Sequence, residues 1–231
     1  MPPKNRFRKN SSLTKKQKME VRKIASQVVD TEIEDKQFVY AAENAQLYHN
    51  KPLYVAKILG DIKQGSQDGD QAGSGNPLSG ESDIRDGDQI RLKNINVRFW
   101  LSNKLDRPNV MYKGVLYWYS QGQTPADALV YKTQGNKMLD RYNTKSIRVI
   151  DTFIVKSTNN YAVDANNHEH SYLATLNKTY KNKLITYDDN GPVTKGWELG
   201  FTVVCYDAYG TLQTDNIASL AYNSEITFQD A

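Results

Sequence analysis

The chain has 231 residues, of which 39% are hydrophobic, and its formal net charge is +4 at pH 7. A chain of this length can bury a real core, and no run approaches the roughly 18 apolar residues of a membrane-spanning helix. The composition therefore favours a soluble, intracellular globular protein without membrane insertion.

The charge is distributed unevenly along the chain. Residues 1–24 hold nine cations and one anion, a net charge of +8, so the other 207 residues sum to −4. A cationic segment attracts a polyphosphate by releasing counterions and needs neither a fold nor base readout. The predicted nucleic-acid contacts are Lys4, Arg6, Arg8, Lys9, Lys15, Lys16, Lys18, Arg22 and Lys23. A solubilising tail or an import signal is the alternative.

Residues 1–35 are predicted to form this basic arm, disordered in part and helical in part. Residues 1–12 lack hydrophobic periodicity. Thr14 and Gln17 then form a capping-box pattern, and an apolar stripe at helical spacing predicts a helix over residues 15–29. That stripe, typical of a docking face, consists of Val21, Ile24 and Val28. Lysines in the first turn oppose the helix dipole, so we expect the free helix to fray.

From Lys36 onward the hydrophobic period is two, which predicts strands. The expected strands cover residues 37–42, 53–59, 88–102, 110–119, 147–155, 184–187, 197–206 and 218–229. A change of parity at Lys93 and Asn94 predicts a β-bulge or a bend. Because no helical patterns alternate with these strands, residues 36–231 are predicted to be all-β, a single eight-stranded antiparallel jelly roll.

Two strands carry specific expectations. The strand at 110–119 is apolar on both faces, as a central strand or one pressed against a neighbouring subunit would be. The last strand alternates most cleanly, with Leu220, Tyr222, Ile226 and Phe228 on the predicted core face. Fifteen tyrosines suit either a core or an interface, and the sequence does not separate these uses.

Candidate chemistry is sparse. His168 and His170 form a His-x-His pair, but with only His49 elsewhere and the single Cys205 in an apolar run, we expect no metal site. Carboxylates in the glycine-rich loop at 60–88 either gather Ca²⁺ at a subunit contact or are simply solvated; they are Asp68, Asp70, Glu81, Asp83, Asp86 and Asp88. No catalytic motif is present, so the chain is predicted to be no enzyme and to need no cofactor.

A secondary basic group lies near the predicted strand at 184–187. Lys178, Lys181 and Lys183 flank Tyr180, an arrangement that suits backbone contacts and base stacking on a single strand. Lysines that protect an exposed strand edge are the alternative explanation.

Several motifs together resemble the capsid proteins of small circular Rep-encoding single-stranded DNA viruses, the circovirus-like group. The basic arm is followed by EDKQF at residues 34–38, RDGDQI at 85–90, LKNINVRFWL at 92–101 and VLYWY at 115–119. The resemblance covers most of the chain from Arg22 onward. The arm is shorter and poorer in arginine than the tails of typical circoviruses.

The resemblance implies a viral capsid protein that self-assembles into an icosahedral shell of about sixty copies. The arm would face and package a single-stranded DNA genome inside the virion, after assembly in the host nucleus or cytoplasm, and a host attachment factor would be a further partner. A carbohydrate-binding or adhesion β-sandwich is one alternative, which leaves the arm without a purpose. A single-strand nucleic-acid-binding protein is another, and it would need cations on the body, which is net negative.

Overall fold

The computed structural model describes residues 13–32, 34–64, 84–104, 106–107, 109–156, 171–189, 191–208 and 212–231. The chain divides into two compact units, residues 1–34 and residues 35–231. Within the described residues, the first unit contains helix α1 (Lys15–Glu32), and the second contains eight strands and a short helix, α2 (Asp127–Val130).

Helix α1 begins at the predicted capping box. The hydroxyl Oγ1 of Thr14 accepts the N–H of Gln17 at 3.3 Å, and Oε1 of Gln17 accepts the N–H of Thr14 at 3.0 Å. These two bonds satisfy amide groups that have no partner within a helix. The predicted helix is confirmed, and it continues to Glu32 rather than ending at residue 29.

The eight strands form two four-stranded antiparallel sheets. Their order is β1-β8-β3-β6 in one sheet and β2-β7-β4-β5 in the other. The strands are β1 (Lys36–Tyr48), β2 (Leu53–Val55), β3 (Gln89–Asn103), β4 (Val110–Ser120), β5 (Ile147–Val155), β6 (Ser171–Thr186), β7 (Trp197–Asp207) and β8 (Asn216–Asp230).

The pairing of these strands defines the topology. The first strand pairs with the last, the second with the last but one, the third with β6, and β4 with β5. A long antiparallel ribbon of four strand pairs, folded over into two facing sheets, is a jelly roll. The predicted all-β, eight-stranded jelly roll is confirmed.

The predicted bulge in β3 is also confirmed. Leu92 pairs with Phe228 of β8 and Asn94 with Thr227, so Lys93 is an extra residue in β3. On the other side, the register with β6 jumps from Lys183 to Thr179 across the same point. The bulge explains the change of hydrophobic parity. The extra residue shifts the alternation by one position, so core-facing residues have even numbers before Lys93 and odd numbers after it.

Three strand predictions had the wrong bounds. The strand predicted at 37–42 continues to Tyr48. The strand predicted at 53–59 ends at Val55, because Lys57 adopts a left-handed φ of 58° and a 3₁₀ helix (Ile58–Asp61) follows. The strand predicted at 184–187 is the last part of a 16-residue strand, β6. The first part of β6 was missed because its exposed positions carry lysine, asparagine and threonine rather than a regular apolar alternation.

The main core lies between the two sheets and centres on aromatic rings. The ring of Phe99 lies 5.2 Å from that of Phe201 and 5.4 Å from that of Phe153, and Tyr222 lies 4.9 Å from Phe201. A Cβ at Gly114 would stand 2.2 Å from the Phe153 ring. Glycine in the middle of β4 therefore lets Phe153 pack against the sheet.

A second, smaller core explains why β4 is apolar on both faces. Val115, Tyr117 and Tyr119 of β4 are buried by Val130 and Tyr131, which belong to the connection between β4 and β5. The cover is thus intramolecular and does not require a neighbouring subunit. Tyrosine therefore contributes to both cores. The largest fully buried side chains include five tyrosines: Tyr112, Tyr117, Tyr119, Tyr131 and Tyr187.

Strand β8 provides a direct test of the fold. Phe228 is fully buried on the core face, whereas its neighbour Thr227 is only partly buried. We expect Phe228→Ala to lower the free energy of unfolding by about 3–5 kcal/mol, because the substitution leaves a cavity. Thr227→Ala, the matched control, should cost far less, as measured by thermal or urea unfolding. Equal, small effects of the two substitutions would contradict the position of β8 in the sheet.

Candidate nucleic-acid interface

The described cations of the arm lie on one side of α1. At 100° per residue, Lys15, Lys18 and Arg22 fall on one face, and Lys16 and Lys23 adjoin it. All five side chains are exposed. The other predicted contacts of the arm, Lys4, Arg6, Arg8 and Lys9, lie outside the described residues.

The opposite side of α1 is apolar. Val21, Ile24 and Val28 are exposed by 53%, 59% and 46%, and helical geometry places them within one sector facing away from the cations. The helix is therefore amphipathic, with a cationic side and an apolar side.

The start of α1 is electrostatically unusual. Its first turn contains no acidic residue and holds Lys15, Lys16 and Lys18. The unpaired N–H groups and the positive end of the helix dipole lie at the same place. These positive charges repel one another in free solution, and a bound polyanion would relieve that repulsion. The first turn of α1 is therefore suited to bind a polyanionic ligand.

The secondary basic group on β6 is split by the structure. Lys178 and Lys181 are exposed, whereas Tyr180 and Lys183 are half-buried and meet at Trp118. The hydroxyl of Tyr180 accepts the Nε1–H of Trp118 at 3.1 Å, and the Lys183 ammonium lies 5.0 Å from the indole centroid. Burial raises the pKa of Tyr180, and the hydrogen bond from Trp118 opposes that rise.

β6 is also an edge strand of its sheet. Lys178 pairs with Ile95, whose side chain is fully buried, so Lys178 stands on the inward-facing side of an open edge. An inward-pointing charge on an edge strand discourages edge-to-edge aggregation. The edge-protection alternative thus has a specific geometric basis for Lys178, and both roles remain predictions.

No metal-binding cluster of three or more His, Cys, Asp or Glu side chains occurs in the described part of the chain. The pair His168 and His170 lies outside it, as do four of the loop carboxylates, Asp68, Asp70, Glu81 and Asp83. The remaining two are ion-paired: Asp86 with Lys36 at 3.0 Å, and Asp88 with Arg85 at 3.4 Å. Across the described residues, no helix is long and apolar enough to cross a membrane.

Cys205 is fully buried, and its Sγ donates to the backbone oxygen of Tyr48 at 3.3 Å. Burial raises the pKa of the Cys205 thiol. A raised thiol pKa suppresses the reactive thiolate. The apolar run around Cys205 in the sequence agrees with this buried, unreactive position.

Among the described residues, three buried cations were not anticipated from the sequence: Arg85, Lys113 and Lys137. Arg85, in the RDGDQI motif, lies 4.0 Å from the Tyr187 ring and donates to the backbone oxygen of Gly191 at 2.7 Å. Lys113 donates to the backbone oxygens of Lys137 and Asp140 at 3.1 and 2.6 Å, and burial lowers its pKa. The only signal for Lys113 was a charged residue within the doubly apolar stretch VMYKGVLYWY.

Comparison with solved structures gives distant likenesses. No protein-family model and no curated protein matches this chain. A chain of Desmodium yellow mottle tymovirus is similar at 10% identity and a TM-score of 0.36, over 85% of this chain and 89% of that one. A chain of the T13 IBDV viral particle is similar at 8% identity and a TM-score of 0.27, over 85% of this chain and 36% of that one. The fold assignment rests on the strand order, and the resemblance to the circovirus-like group stays a prediction.

His49 offers a test of the electrostatics of the body. It is 4% exposed, and its Nδ1 accepts the backbone N–H of Asp207 at 3.1 Å, so protonation would place a proton against that donor. Burial lowers the pKa of His49 below its usual 6.5, despite the nearby carboxylates of Asp207 and Asp215. The unfolded chain then binds a proton more readily than the folded one.

We therefore expect the free energy of unfolding to be highest above pH 6.5 and to fall as the pH drops below that value. Urea unfolding of the wild type and of His49→Gln between pH 5 and 8 measures this, and the substitution should flatten that part of the curve. An unchanged slope in His49→Gln would contradict the assignment.

Proposed function

We propose that this chain is a viral coat protein whose jelly roll builds an icosahedral shell and whose basic arm binds the packaged nucleic acid. The observation that carries the proposal is the separation of charge. Residues 1–24 have a net charge of +8, with five exposed cations on one side of α1, while the remaining residues are net −4. Such a chain can hold a polyanion with one part and pack against copies of itself with the other.

The finer features of the proposal follow the motif resemblance. The packaged genome is single-stranded DNA, the shell has about sixty copies, and the mature protein resides in the virion after assembly in the host nucleus or cytoplasm. A host attachment factor would contact the outside of the shell. The role is structural and uses no catalytic residue.

Exposed apolar side chains on the body support self-assembly. Trp100 and Leu173 are directly paired across β3 and β6, and they are exposed by 57% and 82%. A contiguous apolar patch on a sheet face is typical of a protein–protein contact. The shell contact is therefore proposed to include this pair.

Sedimentation of the purified full chain tests assembly. We expect large particles for the wild type and for Thr175→Asp, and small species for Leu173→Asp. The two substitutions add the same charge to exposed positions two residues apart on the same strand, so only loss of the apolar contact distinguishes them. A folded wild-type chain that stays monomeric across salt and pH would contradict the coat-protein proposal. A monomer that still binds nucleic acid would favour a single-strand-binding protein.

Nucleic-acid packaging is tested by changing the arm alone. Replacing its nine cations by glutamine should remove nucleic acid from the particles and leave the melting temperature of the body unchanged, because the described members of the set are exposed. For the wild-type protein, the logarithm of the binding constant K should fall linearly with the logarithm of the salt concentration. The slope should be about −0.7 for each cation that contacts a single strand. Absorbance at 260 and 280 nm, with DNase or RNase digestion, measures the content and its type. Unchanged nucleic acid in the neutralised particles would place binding on the body.

A further inference from the structure

A cleft opens at one end of the sandwich. It is formed by the last residues of β4 and β6 and the first residue of β7, and its walls come from both sheets. Trp118 and Trp197 line one wall, and residues 183–186 line the other. The cavity has a volume of about 290 Å³, which is close to the lower limit of small-molecule sites.

Cations surround this cleft. The Arg148 guanidinium lies 3.9 Å from the Trp197 ring centroid, and the Lys183 ammonium lies 5.0 Å from that of Trp118. Lys195, also in the lining, pairs at 3.3 Å with Asp189, and both groups are largely exposed. Within the described residues, neither Arg148 nor Lys183 has a carboxylate within ion-pair distance.

The rings hold these cations without neutralising them. A cation over an indole face gains a modest attraction and keeps its full charge. A guanidinium stacked on a ring still directs its N–H groups outward in the ring plane, where a phosphate can accept them. Tyr180 is a positioning residue here, because its hydroxyl fixes the Trp118 ring that Lys183 rests on.

We propose that this cleft binds one nucleotide of a single-stranded nucleic acid, with its phosphate on Arg148, Lys183 and Lys195 and its base against the ring of Trp197. Trp197 is half-buried, so part of its ring is accessible from the cleft. Cations beside aromatic rings are the usual combination for binding a single strand without sequence preference. The inference rests on the proposed function, and it adds a second contact on the body to that of the arm.

The three tryptophans make the cleft observable in the full chain. Trp118 and Trp197 lie in it, and the third, Trp100, is on the outer face of the other sheet. Trp100→Phe keeps an apolar ring at the proposed shell contact and leaves fluorescence that reports on the cleft alone. Oligothymidylate should quench this fluorescence. Adding Arg148→Gln and Lys183→Gln should abolish the quenching and reduce the magnitude of the slope of log K against log salt by about 1.4, or about 0.7 for each phosphate contact with a single strand.

Three further variants separate the explanations. Arg148→Lys with Lys183→Arg keeps both charges and should retain most of the slope of log K against log salt. This result would show that the loss in the glutamine variant comes from the missing charges and not from a folding defect. Lys132→Gln with Lys145→Gln removes two exposed cations elsewhere on the body and should change nothing. If Lys178→Gln with Lys181→Gln reduces the slope of log K against log salt while the cleft variant does not, the inference is overturned and binding lies on the exposed lysines along the edge of β6.

The arm variant distinguishes this inference from the proposed function. If neutralising the arm abolishes packaging while oligothymidylate leaves the cleft fluorescence unchanged, the cleft inference fails and the coat-protein proposal stands. If the fluorescence is quenched in the arm-neutralised protein but the wild type never assembles, the cleft stands and the proposed function fails.

Discussion

The pairing of β8 with both β1 and β3 is the interaction on which the rest of the structure depends. The last strand lies between the first and the third, so this sheet cannot form until the C-terminal residues are in place. Lys36, the first residue of β1, forms ion pairs with Asp230 at 2.5 Å and Asp86 at 3.0 Å. Although burial alone would lower the pKa of Lys36, these carboxylates raise it. The start of β1 is thus held by the last residues of β8, and non-local pairing of this kind makes for slow folding.

Buried cations hold in place the loops that connect the strands and pack on the sheets. A loop that packs on a sheet exposes backbone oxygens to an apolar environment, where each needs a hydrogen-bond donor. Lys113 supplies donors to the segment that covers β4, and Arg85 does so for the loops beside β3 and β6. A lysine or arginine can satisfy several oxygens at once, whereas an apolar residue of the same size would leave them all without a partner. These cations therefore shape the fold and do not contribute to the positive surface.

Features of the structure could be predicted from the sequence where they depend on residues close together in the chain, and not where they depend on non-local packing. Local signals were sufficient for the capping box at Thr14, the bulge at Lys93 and the core face of β8, because each depends on residues near one another in the chain. The first part of β6 was missed, since an edge strand exposed to solvent needs no apolar alternation. The lysines around Tyr180 were visible as a cluster, but their separation into exposed and half-buried members depends on Trp118 from the opposite sheet. Non-local packing of that kind leaves no pattern in a single segment.

Two kinds of cation in this chain thus differ in what their removal would do. A buried cation such as Lys113 has lost its water and is compensated by backbone oxygens, so removing it leaves those oxygens unsatisfied and destabilises the fold. The exposed cations of α1 keep their water, and removing them costs the fold little. Arg148 and Lys183 lie between these cases, because an indole ring orders each one while its charge stays available to an outside anion. Ligand binding and folding can therefore be altered separately in this protein, according to whether a cation's partner is an oxygen of its own backbone, water or an aromatic ring.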